Sequence, residues 1–61
     1  MNPLTTTDMN EYHMIPAALR RERGQRAYLQ TINDFVGVDM VNDRIIRLQK
    51  RRQQLRRRGA Y

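Results

Sequence analysis

The chain has no cysteine, no serine and no tryptophan, only one histidine (His13) and one lysine (Lys50), and no acidic residue after Asp43. Each absence removes a class of function. Without cysteine there is no disulfide to staple a small core and no thiolate set for zinc; such a composition is compatible with a reducing compartment. Without serine or cysteine no triad can be built around His13, and a lone histidine beside Tyr12 near the N-terminus makes no acid–base pair. Gly24, Gly37 and Gly59 are isolated from one another, so no glycine-rich phosphate loop exists. A chain of 61 residues buries only about 60% of its unfolded surface and has little volume for a ligand pocket. These exclusions predict a non-enzymatic protein with no cofactor, no metal and no small-molecule substrate.

Long apolar runs are also missing, the longest being a few residues such as Phe35 to Val38. That excludes a membrane-spanning helix, and the first residues lack the positive-then-apolar pattern of a standard secretory signal. The expected location is the cytoplasm, or the inside of a virion or nucleoprotein particle. A core this small and unstapled predicts a chain that is not a free monomer, but a homo-oligomer or one held by a protein partner.

What is present is a block of positive charge. From Met1 to Asp43 four arginines (Arg20, Arg21, Arg23, Arg26) stand against six acidic residues, whereas Arg44, Arg47, Lys50, Arg51, Arg52, Arg56, Arg57 and Arg58 have no acidic residue among them. The formal charge of +6 is therefore a located charge. A localised excess of this kind implies a polyanionic partner. Eleven of the twelve basic residues are arginine, the side chain that offers planar bidentate donors to phosphate and stays charged. The like-charged pairs Arg47–Arg51 and Arg52–Arg56 also repel one another on a helix, which favours a ligand that neutralises them.

Residues 1–15 contain Pro3, three consecutive threonines and scattered apolar side chains; they read as an extended N-terminal arm, with Met9 and Tyr12 suited to an adaptable protein contact. Asp8 followed by Glu11 suggests only a short capped turn, ended by Pro16. Pro16 suits the first position of a helix, so helix A is predicted over about 16–35. Its apolar stripe runs through Leu29, Ile32 and Val36, with Tyr28 and Phe35 beside it. Gly37 is the expected stop, although Asp34 sits poorly in the last turn of a helix and argues for an end near Asn33. Asp39 is the expected cap of helix B, over about 39–57, whose seam is Val38, Val41, Ile45, Leu48 and Leu55, interrupted by Arg52. Because only Leu55 continues the seam beyond Leu48, the basic end is predicted to leave the core as a helical extension, followed by a short tail at 59–61.

The expected fold is thus all-α: a small two-helix hairpin over 16–58, with an extended arm and a basic C-terminal helical extension. The leading functional expectation is nucleic-acid binding, to DNA or RNA, through phosphate contacts from Arg44, Arg47, Lys50, Arg51, Arg52, Arg56, Arg57 and Arg58. The alternative is a structural subunit of a virion or ribonucleoprotein particle that docks on protein through Met9, Tyr12, Leu29, Ile32, Val41, Ile45 and Leu48. A membrane partner fits poorly, since Gln49 to Arg58 offers only Leu55 as a large apolar residue opposite the charge. Ile32, Val36, Gly37, Val38 and Ile46 partly match a helix-turn-helix, but Asn33 stands where that motif wants a small residue and Asp43 where it wants an apolar one. Aromatic residues that would stack on bases are thin in the basic segment.

Overall fold

In the computed structural model, which describes residues 4–59, two long helices, α1 (Thr6–Thr31) and α2 (Phe35–Arg57), pack against each other as an antiparallel hairpin. The molecule measures 45 × 16 × 14 Å, one helix long and two helices wide. The all-α hairpin expected from the sequence is present. Its boundaries differ, and each difference has a local cause.

The expected arm is helical from Thr6 onward. Thr5 caps α1: its hydroxyl accepts from the Asp8 amide at 3.1 Å, and the Asp8 carboxylate accepts from the Thr5 amide at 3.4 Å. This reciprocal capping box begins three residues earlier than the Asp8–Glu11 pair suggested. Pro16 lies inside the helix rather than at its start. An interior proline removes one backbone hydrogen bond and costs a helix about 3 kcal/mol; here the cap upstream and the docking of Tyr12, Ile15 and Leu19 against α2 hold the turn on either side of it. Residues 1–3 of the expected arm and 60–61 of the expected tail lie outside the described residues.

The turn comes sooner than Gly37. Asn33 takes the left-handed conformation at φ 59°, the Asp34 amide reaches back to the Leu29 carbonyl at 2.9 Å, and the Asn33 amide to the Gln30 carbonyl at 3.1 Å. This pair of bonds is a Schellman ending with asparagine, not glycine, in the left-handed position. Asp34 then serves as the N-cap of α2, its carboxylate accepting from the Gly37 amide at 3.0 Å. The carboxylate that would have opposed the dipole at the end of α1 instead favours the start of α2. Asp39 lies one turn inside the helix and is not its cap. Gly37 has a packing role: a Cβ there would stand 2.8 Å from Asp34 Oδ2 and 3.1 Å from Leu29 Cδ1.

The core is Tyr12, Ile15, Leu19, Val41, Ile45 and Leu55, with Leu4, Met9, Leu29 and Leu48 packed partly against it. On α1 the line Tyr12, Ile15, Leu19, Glu22, Arg26, Leu29 advances by three and four alternately, the same rhythm as Val38, Val41, Ile45, Leu48, Arg52, Leu55 on α2. The polar members of the α1 line obscured it in the sequence and drew the expected stripe toward Ile32 and Val36. Those two residues are 52% and 74% exposed, as Tyr28 and Phe35 are at 62% and 67%. With Ile32, Val36 and Ile46 all exposed, the turn also lacks the buried centre that a helix-turn-helix requires.

Candidate nucleic-acid interface

The basic segment does not leave the core after Leu48, because Leu55 is fully buried. Docking of the last two turns against the start of α1 divides the eight expected phosphate contacts into two sets. Three are occupied internally. Arg51 forms a fork with Glu11, its Nε donating at 2.7 Å and its Nη2 at 3.1 Å, and Nη2 also lies 3.4 Å from Asp8 Oδ1. Arg58 Nη2 stands 3.4 Å from Asp8 Oδ2. Arg44 Nε donates to Glu22 Oε2 at 2.9 Å. Arg47, Lys50, Arg52, Arg56 and Arg57 have no carboxylate partner among the described residues.

The pairing has an electrostatic signature. The Arg51 guanidinium, hydrogen-bonded to Glu11, holds that carboxyl below its usual range against the opposing push of burial, and Glu11 in turn raises Arg51. Polar residues of the seam are likewise used across the interface: Arg26 Nη1 donates to Asn42 Oδ1 at 2.9 Å. These bonds join residues far apart in sequence and lock one register of α1 against α2.

By helical projection the ion pairs of Glu11 and Glu22 with Arg51 and Arg44 stand on one flank of the α1–α2 seam, while Gln49, Gln53 and Arg56 stand on the other. Arg20 and Arg23 of α1 fall on that second flank, which carries no carboxylate of the seam. Of the chain's six acidic residues, Asp8, Glu11 and Glu22 are taken by ion pairs and Asp34 by its cap, and Asp39 and Asp43 lie nearer the turn. Comparison with protein-family models, with curated proteins and with solved structures gives no match to this chain.

On the unpaired flank Gln49, Arg52, Gln53 and Arg56 line a cleft of about 310 Å³. Arg52 occupies the seam position where an apolar residue is expected, and its Nε is shielded from solvent without a hydrogen-bond partner. A shielded unsatisfied donor costs about 1–3 kcal/mol. The Tyr12 ring is buried in the core, with the His13 ring edge-on at 5.7 Å. The Arg56 guanidinium beside its hydroxyl, and more weakly that of Arg52, draw the phenol below its ordinary value against the effect of burial.

Of the residues expected to dock on protein, Met9, Tyr12, Leu29, Val41, Ile45 and Leu48 belong to the intramolecular core or pack against it; Ile32 alone is exposed. The contributions missed in the sequence are Ile15, Leu19 and the α1 arginines. The three–four rhythm through Tyr12 would have found the first two. Among the described residues no helix is long and apolar enough to cross a membrane.

Proposed function

We propose that this chain is a small non-enzymatic nucleic-acid-binding protein whose phosphate contacts come from Arg47, Lys50, Arg52, Arg56 and Arg57, joined on the α1 side by Arg20 and Arg23. The observation that carries this reading is the uneven use of the arginines. Arg44, Arg51 and Arg58 form ion pairs across the hairpin, leaving five cations of α2 without an ion pair on a helix that is otherwise docked. Cations without a carboxylate partner on a docked helix suit a phosphate backbone, which supplies affinity without reading sequence. Arg44, Arg51 and Arg58 act instead as internal struts.

Binding of a labelled duplex and a labelled single strand, measured by fluorescence anisotropy between low and moderate salt, tests this reading. Seven phosphate contacts give a log–log salt slope of about −6.3 on a duplex, and each Arg→Gln change in the set removes about 0.9. A flat salt dependence would reject it.

A second reading, as a structural subunit of a particle, is favoured by the opposite end of the hairpin. Tyr28, Ile32, Phe35, Val36 and Met40 are between 52% and 74% exposed around the turn, where apolar surface of this kind marks a protein contact. The two roles are compatible, one at each end of the molecule.

A further inference from the structure

We infer that the cleft lined by Gln49, Arg52, Gln53 and Arg56 is a built seat for one phosphate group, with the two guanidiniums as the charged clamp and the two amides as flanking donors. The inference rests on the phosphate-contact reading above and narrows it from a row of charges to one geometric site.

Three observations converge on this cleft. Arg52 and Arg56 are like charges one helical turn apart, an arrangement that destabilises a helix unless an anion lies between them, and neither has a carboxylate partner among the described residues. Arg52 also carries a shielded N–H without an acceptor, so the site is under-supplied with acceptors rather than donors. Two other clefts lined by arginine differ on this point. The one bounded by Ala18, Glu22, Arg44, Arg47 and Leu48 contains the Glu22 carboxylate, and the one bounded by Met40, Asp43, Arg44 and Arg47 contains that of Asp43. Of these three clefts, the Arg52–Arg56 one alone combines guanidiniums with neutral amides and no acid.

The Arg56 guanidinium, and more weakly that of Arg52, acts on the hydroxyl of the buried Tyr12 beside the cleft. Tetrahedral phosphate suits such a clamp because each guanidinium can present two N–H groups to its oxygens. The ligand class is a phosphate oxyanion, supplied either by the backbone of a nucleic acid or by free phosphate.

Tyr12 also supplies the readout. The neighbouring guanidiniums hold its phenol below its ordinary value, and an anion seated between them cancels part of that field. The titration of the Tyr12 ring signal, followed by NMR on the full chain, therefore moves upward when inorganic phosphate or a short duplex is added, and not when chloride of equal ionic strength is added. Arg56→Gln and Arg52→Gln each weaken the inorganic phosphate response about 10- to 100-fold, the loss of a charge-assisted hydrogen bond; Arg47→Gln and Arg57→Gln leave it unchanged. The wild-type titration needs no variant to fold. An upward shift with phosphate in a chain that ignores the duplex supports the seat, and assigns it to free phosphate while the nucleic-acid reading fails. Duplex binding that leaves Tyr12 unmoved, or equal responses to phosphate and chloride, overturns the seat and leaves the wider reading intact.

Discussion

The two ends of the hairpin invert what their compositions suggest. The end where the start of α1 meets the last turns of α2 carries most of the charge, yet it holds the buried Tyr12, Ile15 and Leu55 and the ion pairs of Asp8 and Glu11. The turn end is rich in apolar side chains, yet Tyr28, Ile32, Phe35 and Val36 face outward. Hydrophobic content therefore does not locate the core in this fold. The partner helix does, and its position follows from the register set at Asn33 and Asp34 and locked by Glu22–Arg44, Glu11–Arg51 and Arg26–Asn42.

The contrast is broken most severely at Leu55. Replacing this fully buried side chain by alanine removes about 2–5 kcal/mol from a chain of this size, whose whole stability is on the order of 3–9 kcal/mol. Urea unfolding followed by circular dichroism is expected to show Leu55→Ala losing a large part of that stability; a loss below 1 kcal/mol would mean that the basic end does not dock. At the turn the sensitive positions are the cap and its close contact. Asp34→Ala is expected to cost about 0.5–2 kcal/mol, and Gly37→Ala a similar amount, because its Cβ displaces the capping carboxylate and presses on Leu29. The same unfolding measurement decides it, with no loss as the contrary result.

Acid acts on the charged end. The carboxyl of Glu11 is held below its ordinary 4.5 by Arg51, so its contribution is present above that value and is lost as pH falls through the folded value beneath it. Stability measured from pH 6 downward is expected to fall more steeply in wild type than in Glu11→Gln. Parallel curves would remove the pair from the account.

The smallest effect on folding is expected from the exposed turn. Ile32→Ser and Val36→Ser are expected to change stability by no more than about 0.5 kcal/mol, as surface substitutions do. If the turn end is the docking surface of the second reading, the same variants reduce self-association in sedimentation velocity. Marked destabilisation by either one would show that the turn is part of the core.

Much of the seam on α2 was legible because Val38, Val41, Ile45, Leu48 and Leu55 keep a regular spacing with one interruption. The seam on α1 was not, because Glu22 and Arg26 occupy two of its positions and become intelligible only opposite Arg44 and Asn42. Pro16 misled in a comparable way: as a local signal it begins a helix, and the capping box at Thr5 and Asp8 outweighs it only when both neighbouring turns are docked. For the candidate site, the basic segment itself was legible, but not its division into struts and unpaired cations.

The sequence by itself determined the all-α hairpin, through helix periodicity and a break near Asn33, and it determined the excess of arginine over acid after Asp43, since both are properties of composition and local spacing. Only the tertiary structure decided which arginines are spent on carboxylates and which are left with none. That choice depends on register, and register is a relation between residues up to 50 positions apart that no local pattern encodes.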